Sequence, residues 1–399
     1  MFERVWIKSK ELFEGVIKSD QFPESIAVRD CTLREGEQAA DIVFSVEDKL
    51  QIAERLESIG IRRIQVGMPG RSEIDKNVFE RLKGSKISRE AFILAYGLKW
   101  KEEIDQAISV GASSVDIVMP CSEYRLKEIM NLSQEEMLRI SQEAIIYGKN
   151  NGLNVSFVPS DTTRASLKFL QEIGQMAAQS GADFLFVADT VGVATPETMR
   201  LIVRSLRDLG VKLGVHAHND LGLGLANAIA AVQEGAVVVD VCINGLGERA
   251  GGVALDEFVV VVQELFCQPL GIKTESLYAL SKFVESLTGF SIPPTKPLVG
   301  SQAFAHKLDT HIQGVSKYMP AYQGINPQVV GRKIDVILGN LSGPFAIRKK
   351  AQDLQISLEE ENIDKIVQIV RNSASSLKRA LTDAEFIDIA SGFMKPQKG

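Results

Sequence analysis

Val211-Lys212-Leu213-Gly214-Val215-His216-Ala217-His218-Asn219-Asp220 reads as a strand that ends in chemistry. On a strand, side chains two residues apart share a face. His216 and His218 therefore project together and Ala217 turns away. The chain has four histidines in 399 residues, so a pair this close is informative. Two readings fit it: a pair of imidazoles at the mouth of a strand that grips a metal ion, or a hydrogen-bonded polar layer inside a sheet. The organisation of the rest of the chain decides between them.

Outwards from this stretch one pattern recurs between about residues 26 and 266, with a period of roughly 30 residues. A short β-branched run ends in a polar or glycine-bearing loop, and an amphipathic helix follows. The predicted strands are 27–33, 63–69, 92–97, 114–120, 154–160, 183–190, 212–219 and 237–245. Helical stretches between them include 45–58, 133–150, 163–179, 196–208 and 223–234. Gly60, Gly111, Gly152, Gly181, Gly210 and Gly235 stand just past helix ends, where a left-handed residue closes the last turn. Thr195-Pro196-Glu197 carries the marks of a helix start. Eight strand–helix units imply an α/β fold, a closed (β/α)8 TIM barrel, in preference to an open doubly wound sheet. In such a barrel the chemistry lies at the C-terminal ends of the strands.

Three regions are expected: an N-terminal helical segment over residues 1–25, the barrel over 26–285, and a C-terminal linker with a mainly helical subdomain over 286–399. The linker is marked by Pro293, Pro294 and Pro297, and the last helices are placed at about 357–372 and 382–393. Residues 300–343 are expected to hold little regular structure. A net charge of −6 argues against a nucleic-acid partner. No apolar run approaches the length of a membrane helix. The four cysteines form no CxxC pair, which fits a reducing, cytoplasmic setting.

The first strand runs into Arg29-Asp30-Cys31-Thr32-Leu33-Arg34-Glu35-Gly36-Glu37-Gln38. The first strand of a closed barrel lies near the seventh, so Asp30 is expected to face His216 and His218 and complete a divalent-cation site. Arg29 would stand beside the ion, suited to a developing oxyanion. Thr190, at the end of the sixth strand, is a candidate for holding a carboxylate.

Four segments carry a resemblance: RDCTLREGEQ (29–38), DTVGVATP (189–196), HAHNDLGLGLANA (216–228) and NGLGERAGGVALDE (244–257). Together they resemble the 2-isopropylmalate synthase and homocitrate synthase family, metal-dependent TIM-barrel Claisen-type enzymes related to hydroxymethylglutaryl-CoA lyase. AFAHKLDTHIQG (303–314) extends the likeness into the C-terminal region. The resemblance implies condensation of an acyl-CoA, acetyl-CoA in the first instance, with a 2-oxo acid. It implies a divalent cation (Zn, Mn or Mg) on Asp30, His216 and His218, with Arg29 and Thr190 on the 2-oxo acid. It implies acid–base work by His311 and Tyr322, reaching from a partner subunit in a homodimer. A metal-dependent 3-hydroxy-acyl-CoA lyase and a divergent barrel with little synthase activity are the alternatives. The chain departs from the family pattern at four positions. Gln65 and Ser160 stand at pocket positions where glutamate is usual, Gly252 where asparagine is usual, and Asp309 where glycine is usual. The first three, all polar pocket positions at strand ends, point to an altered substrate or a changed catalytic apparatus.

Overall fold

The computed structural model describes residues 22–394 apart from Leu98. The expected N-terminal helix falls almost entirely outside them. Eight parallel strands close into a barrel in chain order: β1 (Ala27–Asp30), β2 (Arg63–Gly67), β3 (Ser88–Leu94), β4 (Ser114–Pro120), β5 (Asn154–Ser160), β6 (Phe184–Asp189), β7 (Lys212–Ala217) and β8 (Val238–Val241). β1 closes the ring against β8, with Arg29 opposite Asp240. The fold is thus the TIM barrel expected from the repeat. The predicted ends of β4 and β5 coincide with the observed ones, and the other predictions ran one to four residues long at their C-terminal ends, where the polar residues belong to the loops that build the mouth. β3 also begins four residues earlier than expected.

The helices start where the sequence provides caps. Ser45 and Ser133 each form a reciprocal capping box, with Asp48 and Glu136, at the heads of α1 (Val46–Ile59) and α4 (Gln134–Asn150). Thr195 caps the helix over Pro196–Leu206, with proline in the first turn. The other barrel helices are α2 (Glu73–Arg81), α3 (Trp100–Ser109), α5 (Leu167–Gln179), α7 (Gly224–Gln233), α8 (Leu255–Val260) and α9 (Leu277–Thr288), with Pro196–Leu206 as α6. All six glycines singled out past helix ends have positive φ.

Inside the barrel one layer is apolar, built around Val118, Val158, Phe186, Ala188 and Val238. Another is ionic. Arg29 points inwards and is 1 % exposed. Its guanidinium meets Asp240, Glu90 and Asp116 at 2.6–2.8 Å and lies 4.1 Å over the Phe186 ring.

The described chain divides into two compact units after Ser291. The C-terminal unit carries a two-stranded parallel pair, β9 (Ala305–His306) and β10 (Asp335–Val336). Its helices are α10 (Asp309–Lys317), α11 (Pro344–Asp353), α12 (Ile363–Leu377) and α13 (Asp383–Ser391). They pack around Ile312, Ile347, Ile366, Val370 and Phe386. The stretch 300–343 therefore holds a full helix that its Gly and Pro content hid. α11, absent from the sequence reading, owes its start to Asp309: one carboxylate oxygen accepts Gly343 N–H at 3.1 Å and Ala346 N–H at 2.7 Å. Aspartate at this position caps a helix, a structural role that accounts for one of the four departures.

Gly60 and Gly152 separate two costs of a left-handed glycine. Both have positive φ, but a Cβ at Gly60 would lie 2.5 Å from the Gly271 carbonyl oxygen, whereas at Gly152 it would meet nothing within 4 Å. Gly152→Ala should cost roughly 1 kcal/mol, and Gly60→Ala clearly more. Urea denaturation of the two variants measures the difference.

Candidate metal centre

The C-terminal mouth of the barrel opens on a cavity of about 360 Å³ lined by residues that include Arg34, Glu35, Gln65, Arg125, Ser160, Thr190, His216 and His218. His216 is the penultimate residue of β7 with its ring inwards, and His218 follows just past the strand on the same side, as the two-residue period requires. Their Nε2 atoms face each other at 3.3 Å. The outer nitrogens fix the protons. His216 Nδ1 lies 3.0 Å from the Asp240 carboxylate, and His218 Nδ1 lies 3.2 Å from the Gly251 carbonyl oxygen. Both partners accept, so both Nδ1 atoms carry hydrogen. Each Nε2 then presents a lone pair to the other.

The third member is Glu35. Its Oε1 is 3.7 Å from His218 Nε2, and one donor atom from each of Glu35, His216 and His218 lies within 4.8 Å of the others. Two imidazole lone pairs and a carboxylate oxygen directed at one point repel unless a cation stands between them. The set therefore fits a divalent ion, with both histidines held by outer acceptors as metal-bound imidazoles are. The protonation states agree. Burial, reinforced by the charge of His216, lowers the His218 pKa to about 4, which leaves it neutral. Burial alone would raise the Glu35 pKa, but Arg34 and then the two histidines outweigh it and keep the carboxylate ionised. Burial also opposes ionisation of Asp240, yet Arg29 and His216 hold its pKa well below the usual range.

Asp30 is not in this cluster. It is adjacent to the inward-pointing Arg29, so it turns to the opposite face. There it is fully buried and accepts hydrogen bonds from Thr32 N at 2.9 Å and Thr32 Oγ1 at 3.1 Å. Burial pushes its pKa up to about 7 against those hydrogen bonds. The carboxylate that joins the histidines comes instead from five residues further on. After β1 the N–H groups of Arg34, Glu35 and Gly36 all converge on the Cys31 carbonyl, and this tight turn lays Arg34 and Glu35 over the mouth. Arg29, expected beside the ion, is saturated by three carboxylates. Arg34 takes the place next to Glu35, donating to Glu35 Oε2 at 2.6 Å and to Gln65 Oε1 at 2.5 Å, with its guanidinium 4.1 Å over the Phe92 ring. The signal for both residues was the run Arg34-Glu35-Gly36 in the first motif.

The remaining candidates divide by unit. Thr190 lines the cavity, its Oγ1 accepting Asp161 N–H at 2.7 Å. Gln65 donates its amide to Asp116 and so links Arg34 to the ionic layer; its arginine partner is Arg34 and not Arg29. Ser160 accepts from Arg125 Nη1 at 3.0 Å. Gly252 pairs with His218 in an isolated antiparallel bridge. His311 and Tyr322 belong to the C-terminal unit, where their rings stack at 4.3 Å. Gly314 makes that stack possible, since a Cβ there would lie 2.4 Å from the Tyr322 ring.

Residues 25–284 match the HMGL-like family. The chain belongs to that family. Residues 298–378 match a second family description, homocitrate synthase post-HMGL domain-like. Among named relatives, homocitrate synthase of Methanopyrus kandleri is 33 % identical over 96 % of this chain and 96 % of its own length. A protein of the same organism provisionally named (R)-citramalate synthase is 37 % identical over 92 % of this chain and 72 % of its own. The 2-isopropylmalate synthase of Methanocaldococcus jannaschii is 33 % identical over 96 % and 74 %. Among solved structures, the HMG-CoA lyase of Bacillus subtilis superposes with a TM-score of 0.61 at 20 % identity, over 68 % of this chain and 96 % of its own. This likeness is one of fold.

Within this HMGL-like barrel the two acidic residues near β1 have separable fates. Glu35→Gln should weaken divalent-ion binding more than tenfold, on the order of the loss expected when a ligand shell is broken, while Asp30→Asn should leave it unchanged, as read by equilibrium dialysis with Mn2+ or Zn2+. Asp30→Asn also has a pH signature. The Asp30 pKa is raised in the fold, so the fold binds the proton more tightly than the unfolded chain between about pH 4 and pH 7. Its contribution to stability is present at pH 4 and is lost as pH rises to 7. The stability of Asp30→Asn relative to the parent should therefore increase from pH 4 to pH 8, on the order of 1–4 kcal/mol at about 1.4 kcal/mol per pKa unit, measured by denaturant midpoints.

Proposed function

We propose that this chain is a metal-dependent synthase that joins acetyl-CoA, through its methyl carbon, to the keto carbon of a 2-oxo acid. The methyl group gives up a proton, a C–C bond forms, and the keto oxygen takes a proton and becomes a hydroxyl. Water then cleaves the thioester, leaving a 2-hydroxy acid with a new carboxylate and free CoA. The convergence of Glu35, His216 and His218 beside Arg34 in one cavity carries this reading. The named synthases that resemble the chain along most of its length support the reaction class. The post-barrel match to a homocitrate synthase domain favours synthase over lyase chemistry.

Glu35, His216 and His218 would hold the ion, and a divalent cation bound there supplies a Lewis acid for the 2-oxo acid. Asp240 and the Gly251 carbonyl keep both imidazoles aimed inwards. Arg34 places a fixed positive charge where negative charge develops on the keto oxygen; its contacts with Glu35 and Gln65 and the Phe92 face hold it there. Thr190 is suited to the carboxylate at C1, because its oxygen is occupied by the Asp161 N–H and its own hydrogen is left to donate. His311 and Tyr322 are the candidates for acid–base work on the acyl group, supplied by a second copy of the chain. Their stacking, and the 49 % exposure of Tyr322, suit groups that meet a substrate outside their own unit.

Purified protein with Mn2+ or Zn2+, acetyl-CoA and each of pyruvate, 2-oxoisovalerate, 2-oxoglutarate and oxaloacetate should release free thiol with at least one acid. A chelator should abolish release and added metal restore it. Absence of release with all four acids, together with cleavage of a 3-hydroxy-acyl-CoA, would assign the chain to the lyase class instead.

A further inference from the structure

Three arginines line the cavity. Arg29 is held by Asp240, Glu90 and Asp116, and Arg34 is held by Glu35. Arg125 differs. It stands in the short helical segment Glu123–Arg125 that follows β4, is half-buried, and has as its polar partner the Ser160 hydroxyl at 3.0 Å. It forms no ion pair among the described residues. The neighbouring carboxylate, Asp161, is taken by Arg164 through two hydrogen bonds of 2.8 and 2.7 Å and by Ser122. The lining of the same cavity includes the apolar Leu94, Val118 and Val158. A guanidinium fork lining a cavity, with a neutral hydroxyl as its partner, is arranged for a carboxylate brought by a ligand.

Its place on the rim says which carboxylate. The histidines stand at the end of β7, Thr190 directly follows β6, and Ser160 ends β5. Thr190 is one strand from the histidines and suits the C1 carboxylate beside the ketone. Ser160 lies a further strand away, two strand spacings or roughly 10 Å from the histidines along the rim, and Arg125, from the segment after β4, reaches back to its hydroxyl. That separation matches a second carboxylate at the far end of a short chain. The cavity, at about 360 Å³, takes a small acid.

We propose that Arg125, supported by Ser160, is the specificity-determining residue for a 2-oxo acid bearing a second, distal carboxylate. The proposal rests on the condensation reading above and adds the substrate class to it. A dicarboxylic 2-oxo acid fills the Arg125 fork, whereas a monocarboxylic one leaves it with its serine partner.

The test uses the full-length chain with metal and acetyl-CoA. Thiol release is measured as kcat/KM for 2-oxoglutarate and oxaloacetate against pyruvate and 2-oxoisovalerate. The unchanged chain should prefer a dicarboxylic acid. Arg125→Met keeps the apolar stem and should lower kcat/KM for the dicarboxylic acids about 100-fold, with monocarboxylic turnover held within about threefold. Ser160→Glu supplies an internal carboxylate to Arg125 and should produce the same selective loss by a different substitution. Circular dichroism and thermal midpoints establish that both variants are folded. A preference for monocarboxylic acids, or an equal loss for both classes in Arg125→Met, would overturn the proposal and leave the condensation reading standing. Absence of thiol release with any of the four acids would overturn both.

Discussion

A guanidinium sealed inside the barrel organises this molecule. Arg29 leaves β1, meets carboxylates from β3, β4 and β8, and lies on an aromatic ring from β6. One side chain of β1 thus adds ties to β3, β4 and β6, which are not its backbone-paired neighbours, and a further tie to its neighbour β8. The arrangement is costly to break. Removing the arginine would leave Asp116 and Asp240 buried without their cation, a class of loss worth about 3–5 kcal/mol. Glu90 has a second cation in Arg63 at 2.6 Å. Burial raises the Asp116 pKa against the pull of Arg29, which eases the excess of negative charge.

The same network reaches the mouth by two routes. Arg29 grips both oxygens of Asp240, and Asp240 Oδ2 also meets His216 Nδ1, so the imidazole is oriented by a carboxylate that is itself fixed. Asp116 accepts from Gln65, and Gln65 accepts from Arg34. The histidine and arginine that meet at the candidate metal centre are therefore both braced from beneath by one ionic layer. Neutral glutamine at position 65 serves this well: it donates to Asp116 and accepts from Arg34 at once, which a glutamate could not do without placing another negative charge beside Asp116.

Much of this was legible in the sequence. Capping residues, positive-φ glycines and the spacing of β-branched runs located the barrel strands, because those signals act over a few residues and depend little on the rest of the chain. The histidine pair was legible because its geometry is set by the two-residue period of a single strand. The acidic ligand was not. The rule that brings His216 and His218 together also forces Arg29 and Asp30 apart, and only one of that adjacent pair can face the barrel interior. Glu35 reaches the histidines through a turn whose three N–H groups share the Cys31 carbonyl, and nothing in strand periodicity reports such a turn. Asp309 was obscured for a related reason. Its function is to cap a helix that begins 35 residues later, a contact visible only once the C-terminal unit is folded.

The central claim is that Glu35, and not Asp30, completes the site with His216 and His218. Anomalous diffraction from crystals grown with Mn2+ or Zn2+ tests it most directly. The account predicts a single strong peak within bonding distance of a Glu35 carboxylate oxygen and both Nε2 atoms, with Asp30 still hydrogen-bonded to Thr32 on the outer face of β1. A peak bonded to Asp30, or an ion bound away from the two imidazoles, would contradict it.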